Sequence, residues 1–184
     1  MSAYDENHRI NIKFQIYNII ELPIMEYVNN DKGINNKVEL IDLLKEYQKK
    51  HIVDEKIECG KCGKEVKCYS KTTILNIPKY LILFLNQDLN NSNNLKFVDF
   101  NETLETNDFL KIEDKDCENT NLNKKYNLVG VINYYGNRKF GHYTANCKNL
   151  IDSNWYYIYD ENITPINLNY IKSKYALILF YEKQ

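Results

Sequence analysis

This sequence predicts a strand-rich α+β domain with a mainly antiparallel sheet and few helices. One segment carries helical periodicity, about seven carry strand patterns, and the last strands are separated by short polar turns, the mark of hairpins. At 184 residues the chain is long enough for one domain with a real core, or for part of a larger one. It is read as a single unit over 1–184, with no internal repeat.

Taken in order, residues 9–20 place Ile10, Ile12, Phe14 and Ile16 on one face at period two, a half-buried strand. Val38, Ile41 and Leu44, flanked by Leu40, Leu43 and Tyr47, recur at three and four, so 37–49 reads as an amphipathic helix. Strand composition returns in 66–76 and 80–86, with Pro78 marking a turn or edge between them. The run Tyr80 to Leu85 is apolar on both parities, which predicts a central strand covered on both faces. From 86 to 125 the chain is Asn-rich and then charged, an insertion or loops. Four strands follow, at 126–134, 142–148, 155–160 and 175–182.

The composition excludes several function classes. A net charge of −1 and a pI near 6.3, with no basic stripe, argue against a nucleic-acid surface. No apolar run approaches the ~18 residues of a spanning helix, and residues 1–9 lack the apolar core of a signal peptide. A soluble cytoplasmic or nuclear protein with no membrane contact is expected. Five cysteines, an odd number, fit metal binding, catalysis or unpaired thiols better than a disulfide framework.

Cys59 and Cys62 form a Cys-x-x-Cys pair, each followed by a glycine, Gly60 and Gly63, which let the backbone bend so that both sulfurs aim at one point. That is half a zinc knuckle. Cys68 and His51 are the nearby candidates to complete it, so zinc is expected only if the pair finds two further ligands, and no cofactor is otherwise required. A redox pair wants a helix to follow, whereas strand follows here. A plain pair of cysteines in a β-turn is the remaining alternative.

The chemistry concentrates at His142 and Asp160. A hairpin symmetric about Ile151 sets these two directly opposite, on the same face with Cβ atoms about 4.5–5.5 Å apart. A carboxylate on one ring nitrogen fixes the tautomer, and the other nitrogen is then free to move a proton to or from a nucleophile and leaving group. The bland alternative is a histidine capping a strand and an aspartate starting a turn. A nucleophile is missing from the pattern. Cys147 lies five residues beyond His142 on the same strand, about 16 Å away and on the opposite face. Cys59, Cys62, Cys68 and Cys117 carry no sign of activation.

The order of features resembles the ubiquitin-specific protease family. The match runs through the early strand and helix, Cys59 to Cys62, Ile77-Pro78-Lys79-Tyr80-Leu81-Ile82-Leu83 and Tyr126 to Asn133. It continues through Gly141-His142-Tyr143-Thr144-Ala145, the Trp155 strand, and Tyr175 to Tyr181. The resemblance implies the papain-like cysteine peptidase superfamily and the C-terminal part of a catalytic domain with a palm-type sheet, its histidine box present and its cysteine box upstream and absent. It implies hydrolysis after the C-terminal glycine of ubiquitin, with His142 as general base and Asp160 as its orienting partner, beside a second acid, Glu161. Gly141 and Tyr143 match positions that line the narrow channel for the ubiquitin tail, and Cys59 and Cys62 match one of two zinc-ribbon pairs. Departures are Tyr134 in place of a histidine, Leu85-Asn86-Gln87 in place of a basic-aromatic pair, and Trp155 one position early relative to the acid.

Two functions are therefore expected as alternatives. One is a deubiquitinase domain whose nucleophile comes from elsewhere, inactive alone. The other is a truncated, non-catalytic relative with a binding or structural place in an assembly. The expected partners are ubiquitin or a ubiquitinated protein, together with a partner protein or N-terminal segment covering the apolar face of the sheet.

Overall fold

A computed structural model describes residues 15–28, 37–59, 63–74, 78–91, 94–109 and 124–184. Its frame is one sheet in the order β1 (Ile20–Leu22), β5 (Tyr80–Leu85), β12 (Ala176–Lys183), β8 (Lys125–Gly136), β9 (Gly141–Lys148), β10 (Trp155–Tyr159), β11 (Asn162–Ile166). The short β7 (Thr103–Glu105) shares an edge of β8 with β9. Only β1 with β5 is parallel in this sheet; the other pairings are antiparallel. Two small ribbons complete the strands, β2 (Lys37–Glu39) with β6 (Phe97–Asp99) and β3 (Lys50–Glu58) with β4 (Glu65–Lys71). The mainly antiparallel α+β architecture is the one expected.

The helix is shorter than its periodicity suggested. Residues 37–39 leave it to pair with β6, Val38 against Val98, and α2 occupies Leu40–Tyr47 after a single-turn helix α1 at Ile24–Tyr27. Leu40, Leu43 and Leu44 face the core. Gln48 closes the helix by donating through Nε2 to Leu44 O at 3.1 Å and Phe109 O at 2.9 Å. This is one way orphan carbonyls at a helix end are satisfied.

Elsewhere the boundaries shift. Residues 15–19 are not strand, β1 begins only at Ile20, and 9–14 lie outside the described residues. The strand expected over 66–76 ends at Lys71. The strand β5 is central, as expected, yet its burial alternates, with Leu81, Leu83 and Leu85 inside and Tyr80 exposed. Within the described part of 86–125, Val98, Phe100, Leu104 and Phe109 are buried in the core, and 110–123 lie outside the described residues.

The core lies against one face of the sheet. Leu83, Leu179 and Val131 stand in register across β5, β12 and β8 and are all fully buried. Near Gly130 a register shift lets both Tyr126 and Leu128 before it and Val131 and Asn133 after it point into that core. Two tyrosines anchor it through their hydroxyls. Tyr181 donates to Asn101 O at 2.7 Å and Tyr126 to Pro78 O at 2.5 Å. Burial pushes the Tyr126 phenol up to about 12 and that of Tyr181 higher still.

No helix among the described residues is long and apolar enough to cross a membrane.

Candidate active site

His142 is the second residue of β9, just past the turn that joins it to β8. Asn137 builds that turn, accepting at Oδ1 from Lys139 N at 2.9 Å and Phe140 N at 3.1 Å, while Asn137 N donates to Phe140 O at 2.8 Å. Such side-chain-to-backbone bonds are what make Asn a turn residue. Across the ladder His142 pairs with Tyr135.

Asp160 reaches the imidazole by a route different from the expected one. The β9–β10 ladder runs Lys148↔Trp155 to Ala145↔Ile158, so its centre falls between Ile151 and Asp152 rather than on Ile151. The six-residue loop Asn149–Asn154 sets this register, with Asn149 N donating to Asn154 O and Ser153 turned into the left-handed region at φ 59°. A one-residue offset puts Asp160 beyond the ladder, in the two-residue turn between β10 and β11, with its own φ at 49°. Aspartate tolerates that conformation better than most residues. From there the carboxylate Oδ1 stands 3.6 Å from His142 Nε2.

That separation is an ion-pair contact, short of a hydrogen bond. Tyr159 flanks the imidazole from the same side, ring centroids 4.4 Å apart. With Asp160 toward Nε2, the nitrogen left for a nucleophile is Nδ1. The Asp160 side chain is 64% exposed and the His142 side chain 37%, so the pair sits at the rim of the sheet where a covering surface would meet it.

Gly141 and Tyr143 lie beside the base, and the structure assigns each a local partner. A Cβ on Gly141 would fall 2.1 Å from Tyr134 Oη and 2.2 Å from its Cζ, so the tyrosine ring uses the space that glycine leaves. Tyr134 holds this position by donating to Asn137 O at 2.5 Å. The Tyr143 ring rests on the Tyr134 ring at 4.6 Å, on the face of β9 opposite His142, and stays 59% exposed. Tyr134 was noted in the sequence only as a departure from the family pattern, and its packing could not be read there.

Cys147, the cysteine nearest His142 in sequence, does not meet the imidazole. Cys147 is five positions from His142 and faces the other way, into a cavity of about 250 Å³ shared with Tyr156, Ile158 and Ile163. Burial pushes its thiol up, away from thiolate character. Neither that cavity nor a second of about 300 Å³ along β8, β12 and the Leu150 turn includes His142 or Asp160.

The cysteine pair is divided by what is described. Cys59 is buried at the end of β3, where Cys59 N donates to Lys64 O at 2.9 Å and Gly63 N to Cys59 O at 2.7 Å. Cys62 lies outside the described residues. The ribbon register excludes the two helpers considered for a metal. Cys68 is four residues past Lys64, the backbone partner of Cys59, roughly 13 Å along β4, and His51 is eight residues back along β3, roughly 25 Å at strand rise. Zinc–sulfur bonds of about 2.3 Å cannot span such gaps. Among the described residues no group of three or more His, Cys, Asp or Glu could hold a metal ion.

Comparison with known proteins agrees with this architecture. Residues 10–181 match the family model described as ubiquitin carboxyl-terminal hydrolase. The chain is 33% identical to chicken ubiquitin carboxyl-terminal hydrolase 2 over 152 residues, 79% of this chain and 41% of that protein. It is 31% identical to human ubiquitin carboxyl-terminal hydrolase 2 over 153 residues, 79% of this chain and 24% of that protein. It therefore spans less than half the length of these relatives. Among solved structures it resembles a yeast SAGA DUB module chain at TM-score 0.67 and 21% identity, covering 90% of this chain and 34% of that one. The SAGA Ubp8/Sgf11/Sus1/Sgf73 DUB module bound to ubiquitin aldehyde aligns at TM-score 0.65 and 25% identity, covering 82% of this chain and 34% of that one. The family model runs through nearly the whole chain and the palm-type sheet carries a histidine and an aspartate at its rim, so the chain belongs to the ubiquitin-specific protease family, the ubiquitin carboxyl-terminal hydrolases.

Proposed function

We propose that this domain supplies the general base and the orienting carboxylate for thiol-dependent hydrolysis after the C-terminal glycine of ubiquitin, acting with a cysteine that lies outside residues 1–184. The carrying observation is the approach of Asp160 Oδ1 to His142 Nε2 at 3.6 Å, in a chain that matches the family over residues 10–181. His142 Nδ1 takes the proton of the attacking thiol. The thiolate adds to the glycine carbonyl carbon, and the imidazolium returns the proton to the leaving amine as the acyl-enzyme forms. A water then attacks the thioester with the same base, releasing the carboxylate and restoring the thiol. Asp160 stabilises the imidazolium in both steps and holds the proton on Nε2.

Closing 3.6 Å to a hydrogen bond of about 2.8 Å needs a movement under 1 Å, a tightening that catalytic bonds undergo when substrate binds. The nucleophile is supplied either by a covalently continuous segment or by a partner chain, and either one also covers the rim. Gly141 and Tyr143 belong to the proposed tail-binding region through the backbone at the start of β9. If zinc binds Cys59 and Cys62, its other two ligands come from beyond His51 and Cys68.

The second reading, a non-catalytic subunit, draws on one observation: the nearest cysteine in sequence, Cys147, faces away from the base with its thiol pushed up. The test is His142→Ala in the protein that carries the nucleophile, assayed on ubiquitin with a fluorogenic leaving group. A loss of about 10²–10⁴-fold with ubiquitin binding retained is expected for a general base. An unchanged rate overturns the assignment, and ubiquitin binding without hydrolysis in the wild-type protein establishes the second reading.

A further inference from the structure

Four buried side-chain atoms among the described residues make no hydrogen bond of normal geometry: Asn133 Oδ1, His142 Nε2, Thr144 Oγ1 and Asn146 Oδ1, with the Tyr135 hydroxyl in longer reach of Thr144. They are not scattered. His142, Thr144 and Asn146 alternate along β9 and so share one face, and Asn133 stands directly opposite Thr144 on β8. This is the face that carries Val131 and Leu179, so a polar row runs from the catalytic rim into the apolar core. Its inner members are nearly sealed, with Asn133 1% exposed, Asn146 2% and Thr144 4%. The Asn146 amide is oriented by Nδ2, which donates to Ile171 O at 3.4 Å.

Leaving a buried polar atom unpaired costs its full desolvation, so a native core seldom keeps four together. Buried water is the ordinary solution, one molecule making about three hydrogen bonds to such groups. The donors and acceptors here balance around a single molecule. Nε2–H donates to the water oxygen, the water donates to Asn133 Oδ1 and Thr144 Oγ1, and the threonine hydroxyl donates to Asn146 Oδ1. Each member then has a partner. Asn133 and Thr144, opposed with Cβ atoms about 5 Å apart, are at a separation one water bridges.

We propose that an ordered water bound by Thr144 and Asn133 sits behind His142, accepts from Nε2–H, and makes these two side chains positioning residues for the base. The inference rests on the reading of His142 as general base. Asp160 is mostly exposed and 3.6 Å from Nε2, so a solvated carboxylate alone grips the ring weakly. While Asp160 stands short of a hydrogen bond, the buried water holds the Nε2 proton from the core side, keeping Nδ1 unprotonated and aimed outward; the carboxylate takes that proton over when it closes on the ring.

The test uses the full protein with its nucleophile and two substitutions at one position. Thr144→Val preserves shape and removes the hydroxyl; Thr144→Ser preserves the hydroxyl. Loss of a hydrogen bond in a network ending on a charged group predicts that Thr144→Val lowers kcat about tenfold or more with KM little changed, and that Thr144→Ser stays within about twofold of wild type. Nitrogen NMR of the His142 ring gives a readout independent of turnover. The wild type should show one tautomer, protonated on Nε2, and Thr144→Val a mixture. A Thr144→Val protein with wild-type kcat and a single tautomer overturns the water bridge, as does a high-resolution crystal structure with direct side-chain contacts in place of the water. Failure of the base assignment is distinct: His142→Ala would then retain activity whatever Thr144 does.

Discussion

At the level of single residues, the pairing of His142 with Asp160 was legible because chemistry restricts the choice. A histidine that opens an apolar strand and an acid that closes the next are few in any sequence, and here the structure sets them in contact at 3.6 Å. What could not be read was how Asp160 gets there. Its φ of 49° removes it from the strand and aims it back across Tyr159. Asp160→Asn keeps a residue that tolerates this conformation but removes the charge that stabilises imidazolium. It should lower kcat about tenfold to a hundredfold with little change in melting temperature. Asp160→Val puts a β-branched residue in the left-handed region and should in addition cost about 1–2 kcal/mol of stability in a denaturant titration. Equal stabilities for the two variants in that titration would show that position 160 does not hold the left-handed conformation. Cys147 gives a contrasting expectation. Its half-buried thiol is pushed up, so Cys147→Ser should leave hydrolysis unchanged, and alkylation of Cys147 should reach half its maximal rate at a higher pH than that of an exposed thiol.

At the scale of elements, period and register were legible to different degrees. The strands β8, β9, β10 and β12 were each visible within a residue or two, since alternation and apolar runs directly report burial. Hairpin register was missed by one residue because it depends on the backbone of the loop, and Ser153 gives no sequence sign of its positive φ. Helix α2 was overextended at its start for a similar reason: Val38 fits a helix face but is claimed by a strand partner, Val98, sixty residues away. Gly141 shows the limit most plainly. The family resemblance implies an open channel at Gly141, and in the structure the Tyr134 ring from the facing strand occupies the space that the missing Cβ leaves. Gly141→Ala should therefore displace that ring, costing about 1–3 kcal/mol of stability and quenching the Tyr134–Tyr143 contact. Unaltered stability would mean that the ring yields freely. The β2–β6 ribbon is tied to the sheet by Asp99, which accepts from Lys172 and pairs with Lys37 at 2.9 Å. Burial pushes the Asp99 carboxyl up, but the hydrogen bonds from Lys172 and Lys37 outweigh it and leave the group below its ordinary value. A lowered folded-state pKa contributes stability above the unfolded value, near 3.8, that disappears as pH falls through the folded one. Asp99→Asn should thus flatten the acid limb of the stability–pH curve while lowering stability at neutral pH.

At the scale of the molecule, the core is centred on Leu83, Leu179 and Val131, with Tyr126 and Tyr181 buried around them. Leu179→Ala should cost about 2–5 kcal/mol of unfolding free energy, because a well-packed sheet core collapses poorly around a cavity. The rim of the same sheet is different in kind. It carries His142, Asp160 and exposed aromatics, Phe140 at 79% and Tyr143 at 59%, while Cys147 faces away from them. On the proposed reading, His142 acts as the base for a nucleophile that lies outside residues 1–184. The direct measurement is labelling by a ubiquitin probe with a thiol-reactive C-terminus, run on residues 1–184 alone and on the protein with its additional segment or partner. The account predicts no label on residues 1–184 in either sample, and stoichiometric label outside them when the rest is present. A ubiquitin adduct on any of the five cysteines at positions 59, 62, 68, 117 or 147 would contradict it.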